Sequence, residues 1–443
     1  MESNSTNPVA PPDWSNTSLD ILLKLHPFVS SMMQDKIFGT VFGSAVGDAI
    51  GLYTEFLSKS TAQKEYPGSD FRFSLVFPRT PRRHDDHRHH DSKRTTLICD
   101  HLEQFELGSW TDDTDHALLI LLSYLHHDGV LDPIDFARRL QVWCNEGLLC
   151  LGTPAADIGI TIQNVVLDEK FLENPYQVAY DQWVRSGCKA AANGSLMRTH
   201  SLGIICITMS LEETFRTACN FSRLTHPDPR CIVACCICTA LIRGILRGEI
   251  TSENSVGMVI QRAFEWVKSW IKYGDGDEKL GSHKNIPMHL DKKEFDRHVG
   301  ATSLQELHLD DPGKMGYVYK ALGAAILLLR LIIRRVLLSL NTFEPLIQEL
   351  IMEGGDADTN ACIAGALVGC WVGYMAIPSK WRLGIQNRQW LLEKTAGLCQ
   401  TLGVSKGPPE YKGSNDLDTR IDGGKKPFIV PMKRWSELLG GRR

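Results

Sequence analysis

Four glycines, Gly39, Gly43, Gly47 and Gly51, recur at every fourth position of MMQDKIFGTVFGSAVGDAIGLYTEF (32–56). Gly365, Gly369 and Gly373 repeat the spacing near the other end of the chain, with Ala361 one step before them. Positions four apart on an α-helix form one ridge. A glycine inside a helix costs about 1 kcal/mol against alanine. Four in register therefore mark a ridge stripped of side chains so that another helix backbone can approach closely. Two central, tightly packed helices are expected, each a candidate partner for the other. Glu55 continues the first ridge if that helix runs so far.

The other long segments also follow the 3.6-residue period, and few alternate with period two. Helices are predicted over 112–127, 132–143, 254–273, 316–340 and 344–377. A cysteine-rich helix opens at Asp228-Pro229, an N-cap followed by proline in the first turn. The expectation is an all-α fold, a compact single-domain orthogonal helical bundle, with no repeat at a fixed period. Residues 1–31 read as a disordered polar leader, 32–400 as the domain, with inserts at 57–110 and 274–312, and 401–443 as a polar tail. The first insert carries RTPRRHDDHRHHDSKR (79–94), a solvated charged run or a metal- or partner-binding patch.

Composition narrows the function. Among 443 residues, 48 Lys+Arg face 52 Asp+Glu, a net charge of −4. That leaves no basic excess for a dedicated nucleic-acid surface. The first residues have no cationic and apolar signal pattern. The most apolar run, Ala321 to Leu340, carries Arg330, Arg334 and Arg335, so it reads as a buried or amphipathic helix and not as a membrane span. Thirteen cysteines without paired spacing read as small core residues, Cys235 and Cys238 included, and fit a cytoplasmic or nuclear protein.

Two acidic clusters open helices: Thr111-Asp112-Asp113-Thr114-Asp115, and Gly354-Gly355-Asp356-Ala357-Asp358-Thr359-Asn360. Capping explains one or two acids at each start. It does not easily explain three acids and two threonines in five positions, because adjacent carboxylates repel unless a cation or proton lies between them. Carboxylates with threonine hydroxyls are hard oxygen ligands that suit Mg²⁺, Mn²⁺ or Ca²⁺. Two facing clusters could hold a pair of metals. Capping acids remain the alternative. Asn193-Gly194-Ser195-Leu196-Met197-Arg198 is a small loop before a helix, either a plain turn or an anion site with Arg198 adding charge. Thr225-His226 reads most simply as a structural hydrogen-bonder.

Taken in order, Gly47-Asp48-Ala49-Ile50-Gly51 with Glu55, Thr111-Asp112-Asp113-Thr114, Asn193 to Arg198, Thr225-His226 and Gly354 to Thr359 resemble the ADP-ribosylglycohydrolase family over roughly residues 35–378. The resemblance implies a compact all-α fold with two Mg²⁺ or Mn²⁺ ions. It implies metal ligands Thr111, Asp112, Asp113, Asp356, Asp358 and Thr359, and makes Glu55 the acid beside the metals, with Asp113 a second candidate. It places Asn193, Gly194, Ser195, Met197 and Arg198 near the diphosphate and His226 near the ribose or adenine. Asp48 is either an orienter of a ligand or an acid hydrogen-bonded between helices. The implied activity is metal-dependent release of ADP-ribose from a modified protein or a small-molecule conjugate. The alternatives are a silent, crystallin-like or ADP-ribose-binding relative, and a hydrolase of another nucleotide conjugate. The acceptor linkage and the oligomeric state stay open.

Overall fold

The structure is a computed structural model. It describes residues 18–24, 27–68, 70–73, 105–274, 290–334, 342–405 and 410–424. The histidine-rich run 79–94 and the short helix expected at 433–439 lie outside these residues.

Seventeen α-helices occur among the described residues. The first seven are α1 (Leu19–Lys24), α2 (Pro27–Gly51), α3 (Lys59–Glu65), α4 (Asp112–His126), α5 (Pro133–Glu146), α6 (Ile160–Val166) and α7 (Pro175–Arg185). The next five are α8 (Thr199–Ile205), α9 (Leu211–Arg223), α10 (Pro229–Leu246), α11 (Glu253–Tyr273) and α12 (Lys292–Val299). The last five are α13 (Val318–Arg334), α14 (Phe343–Ile351), α15 (Ala357–Val372), α16 (Ser379–Arg382) and α17 (Arg388–Thr401). No strand occurs among the described residues, only three isolated bridges.

The centre is the antiparallel pair α2 and α15, and the glycine ridges are its seam. A methyl added at Gly39 would lie 2.2 Å from the Gly369 carbonyl oxygen, and one at Gly43 would lie 2.2 Å from that of Gly365. One at Gly47 would lie 2.0 Å from the Ala361 oxygen, and one at Gly51 2.2 Å from Asp358 Cα. Only glycine permits this approach, so the two ridges pair with each other. The antiparallel sense brings the end of α2 to the start of α15. Helix α2 stops at Gly51 and turns through residues 52–56, so Glu55 reaches the site from a turn and not from a helix.

Around this pair, α13 and α14 pack on α15, and α10 packs between α9, α8 and α11. Cys231, Cys235, Cys236 and Cys238 are all buried on α10. That helix is long and apolar enough to cross a bilayer, yet it lies in the core. The apolar face of α13 is also buried, while Arg330 reaches the Val299 carbonyl and Arg334 pairs with Glu253 at 2.6 Å. The helix expected over 344–377 is two, α14 and α15, separated where Gly354 and Gly355 both take φ +72°.

Several segments differ from the boundaries expected, among them α3, α7 and α9, for which no helix was predicted. Residues 19–24 and 27–31 of the leader are helical. Helix α17, not anticipated, follows the buried Trp381, and its Trp390 donates its indole N–H to Asp418 at 2.8 Å. Part of the polar tail, 410–424, packs on the domain: Gly413 sits against the Leu125 carbonyl, and the Thr419 carbonyl accepts from Arg139 at 2.8 Å. Its polar composition reflects hydrogen bonding to α4 and α5, not solvation throughout.

Candidate functional site

Helix α4 begins at Thr111, whose hydroxyl accepts from the Asp113 N–H at 3.3 Å. What fixes this start in space is Asp48 from α2. Its carboxylate accepts the N–H groups of Thr111 (3.1 Å) and Thr114 (3.0 Å), and the hydroxyls of Thr111 (3.0 Å) and Thr114 (2.6 Å). This set accounts for both threonines of the first cluster. Of the two roles open to Asp48, these bonds are those of an acid hydrogen-bonded between helices, α2 and the start of α4. Asp115 belongs to neither role: it accepts both the Trp110 and Trp143 indole N–H groups at 2.8 Å and is a core hydrogen-bonding group.

The second cluster opens α15. The Phe56 N–H donates to the Gly355 oxygen at 2.7 Å, and the Gly355 N–H donates to the Leu57 oxygen at 2.8 Å. These bonds fasten the Glu55 turn to the loop that carries Asp356. A methyl at Gly354 or Gly355 would fall 2.2 Å or 2.1 Å from a backbone oxygen, so the fastening needs glycine at both. Phe56 takes φ +57°, a sparsely populated conformation for a bulky residue.

Single carboxylate oxygens of Asp48, Asp113 and Asp358 lie within 4.8 Å of one another, and so do those of Glu55, Asp157 and Asp358. Thr359 donates its hydroxyl to Asp113 at 3.1 Å, and Asn193 donates its side-chain amide to Asp356 at 2.8 Å. Burial, followed by the charges of neighbouring acids, holds the carboxyls of Glu55, Asp112, Asp113 and Asp358 well above their ordinary range. Burial pushes Asp48 up to about 7, against the four donors that oppose the shift. Asp113 Oδ1 and Asp358 Oδ1 are buried with no hydrogen-bond partner among the described residues. A buried carboxylate oxygen without a donor is costly. Two such oxygens within a hard-oxygen set fit divalent cations of the Mg²⁺ or Mn²⁺ kind.

The structure thus brings together Glu55, Thr111, Asp112, Asp113, Asp356, Asp358, Thr359 and Asn193. It adds Asp157, which sequence reasoning missed. Asp157 is exposed on the loop before α6, takes φ +58°, and hydrogen-bonds with Glu55, raising the Glu55 carboxyl further. Its only sequence signal is an aspartate in the loop-like stretch Pro154 to Gly159; aspartate tolerates the left-handed region better than most residues.

The 193–198 loop, expected near a diphosphate, differs from expectation in three side chains. Ser195 is buried and accepts from the Ser222 hydroxyl at 3.1 Å. Met197 lies in the core. Arg198 is 1% exposed. Its Nη2 donates to the Phe221 carbonyl (2.9 Å) and to the Thr225 hydroxyl (2.8 Å), and its guanidinium lies over the Phe136 ring. It offers no charge to the surface. Gly194 faces His226, which is itself buried.

The family model for ADP-ribosylglycohydrolase matches residues 30–407. The chain is 24% identical over 372 residues to ADP-ribosylarginine hydrolase Tri1 of Serratia proteamaculans, covering 84% of this chain and 79% of that protein. It is 22% identical over 354 residues to ADP-ribosyl-[dinitrogen reductase] glycohydrolase of Rhodospirillum rubrum, covering 79% and 90%. A solved structure described as an ADP-ribosylglycohydrolase-related protein complex superposes with a TM-score of 0.50 at 20% identity, covering 84% of this chain and 99% of that one.

Proposed function

The chain belongs to the ADP-ribosylglycohydrolase family, and on that premise we propose that it hydrolyses the glycosidic bond at the distal ribose of a mono-ADP-ribosylated substrate, with two Mg²⁺ ions, and releases ADP-ribose. Family membership carries the general activity, hydrolysis of an ADP-ribosyl bond. The observation that supports the metal is the meeting of acids from four separate segments, with Asp113 Oδ1 and Asp358 Oδ1 unpartnered among the described residues. Thr111, Asp112, Asp113, Asp356, Asp358 and Thr359 would hold the ions; Mn²⁺ suits the same oxygens. Bound there, the ions would neutralise the acids, fix ribose hydroxyls and lower the pKa of a water.

The remaining work falls to the protein. Cleavage builds oxocarbenium character at the anomeric carbon and needs a proton for the leaving atom and an oriented water. Glu55, on the turn fastened by the Phe56–Gly355 and Gly355–Leu57 bonds and in contact with Asp157, would move the proton at the leaving atom. Asp113 is the second candidate, as the acid that orients the water. Asn193 fixes the Asp356 carboxylate, and Asp48 fixes the start of α4. The turn Asn193–Ser195 with His226 would receive the ADP portion, and Met197 and Arg198 would support that turn from behind.

The acceptor is a side chain of a modified protein or a small-molecule conjugate. Arginine-linked ADP-ribose is the first to test, since one relative is named for that linkage. The test measures free ADP-ribose released from arginine- and serine-linked mono-ADP-ribosylated proteins with Mg²⁺, with EDTA, and with Asp356→Asn. Release that needs both metal and Asp356 is expected. Metal-dependent ADP-ribose binding without release would make the protein a reader or assign another acceptor. No binding at all would leave the crystallin-like reading.

A further inference from the structure

Arg198, Thr225 and His226 form one buried chain of hydrogen bonds behind the Asn193–Ser195 turn. An arginine only donates. The Thr225 hydroxyl therefore accepts from Arg198 Nη2 at 2.8 Å, and its oxygen lies 2.7 Å from His226 Nδ1. Thr225 is fully buried, and no other acceptor for its hydroxyl proton is found among the described residues. If Nδ1 carried the imidazole proton, that hydroxyl proton would have nowhere to go, at the cost of a buried unsatisfied donor. If Nδ1 is bare, the hydroxyl donates to it and the chain Arg198 to Thr225 to His226 is complete. The imidazolium is excluded by its surroundings: burial, with Arg198 second, lowers the His226 pKa to about 3.

We propose that Arg198 is a positioning residue that, through Thr225, holds His226 as the neutral tautomer protonated at Nε2, giving the Asn193–Ser195 turn a neutral hydrogen-bond donor for a ligand oxygen. His226 Nε2 is buried without a partner among the described residues. It lies beside Gly194, where an added methyl would come within 3.2 Å of Nε2. Two residues of chain separate that nitrogen from Asp356: Gly194, which it faces, and Asn193, whose amide holds the carboxylate. The ligand class is one that presents an oxygen acceptor without needing a second positive charge there, such as a ribose hydroxyl or a phosphate oxygen. This ligand half rests on the reading of His226 as part of the ADP-ribose site; the tautomer half does not.

The test uses the full-length chain labelled with ¹⁵N in histidine, with His226 signals assigned by His226→Asn. In long-range ¹H–¹⁵N spectra the wild type should show a bare Nδ1 and a protonated Nε2. Thr225→Ser, which keeps the hydroxyl, should preserve this pattern, and Thr225→Val should mix the tautomers. Arg198→Lys, still only a donor, should preserve it, and Arg198→Met should not. ADP-ribose affinity should fall roughly threefold to tenfold in Thr225→Val, the size of one net hydrogen bond, and stay near wild type in Thr225→Ser. A wild type protonated at Nδ1, or a Thr225→Val variant still wholly protonated at Nε2, overturns the proposal. A lost tautomer with unchanged affinity overturns its ligand half. A wild type that keeps the Nε2–H tautomer but does not bind ADP-ribose refutes the functional reading and leaves the tautomer standing.

Discussion

Gly43→Ala is a sharp test of the glycine seam. The added methyl would lie 2.2 Å from the Gly365 carbonyl oxygen, 3.0 Å from its carbon and 3.2 Å from Gly369 Cα. Methyl carbons essentially never approach a heavy atom closer than 3.0 Å, so that oxygen must retreat by about 0.8 Å. It belongs to the backbone of a buried helix, and no rotamer change can move it; α2 and α15 must separate. Overpacking of this kind costs about 1–3 kcal/mol, and a shift spread along a whole seam belongs at the upper end. Against it stands about 1 kcal/mol gained by replacing glycine with alanine in a helix. The expected net effect is destabilisation by about 2 kcal/mol. Gly257→Ala in α11 is the control, because nothing lies within 4 Å of its added methyl. It should stabilise by up to about 1 kcal/mol from helix propensity alone. Urea unfolding followed by far-ultraviolet circular dichroism reads both signs. A Gly43→Ala variant that moves in the same direction as Gly257→Ala would refute the argument that backbone contact, and not chance, put glycine there.

Other outcomes follow from the site and its surroundings. If the acids hold divalent cations, Mg²⁺ should raise the melting temperature in a concentration-dependent way, by about 2.7 kcal/mol of added stability at a hundred times the dissociation constant, and EDTA should reverse it; an unchanged melting temperature in differential scanning fluorimetry would count against the metal. Asp48→Asn sets an amide donor against the backbone N–H groups of Thr111 and Thr114, so it should destabilise by about 1–3 kcal/mol and weaken Mg²⁺ stabilisation as well; a variant that loses neither would remove Asp48 from its proposed place. His200 is held neutral, since burial lowers its pKa from 6.5 to about 4. Its unfolded form therefore binds a proton first, and stability present above pH 6.5 is lost as the pH falls toward 4, by about 3 kcal/mol at most. His200→Gln should flatten that slope in urea titrations at stepped pH, and an unaltered slope would place the acid sensitivity elsewhere.

The parts legible in the sequence share one property: their signal is local and repeats. The ridges Gly39–Gly51 and Gly365–Gly373 show their period directly, and their facing follows from sterics. The acids at Asp112 to Asp115 and Asp356 to Asp358 sit at helix starts that threonine and glycine announce. What escaped reading depends on partners far along the chain. Asp115 looks like the third site acid of its cluster until Trp143, 28 residues on, is seen to claim it with Trp110. Arg198 looks like an anion ligand until Phe221 and Thr225 draw it inward. Asp157 has no pattern around it, and reaches Glu55 only because a left-handed residue turns its loop. Helix α17 was missed because its polar face is stabilised by the polar segment that follows it, where Asp416 and Asp418 take Lys394.

The seam between α2 and α15 also sets the order in which the chain can assemble. Helix α2 is complete at residue 51, yet the face it must bury belongs to residues 357–372. At synthesis rates of about 5–20 residues per second, its glycine-lined surface waits roughly 15 to 60 seconds for its partner. Pairing across so long a stretch of chain is slow to form and leaves apolar surface open to other molecules meanwhile. The same glycines that allow the tightest contact in the finished protein thus make its centre close late, and they tie yield in the cell to whatever shields the nascent second helix until the fifteenth arrives.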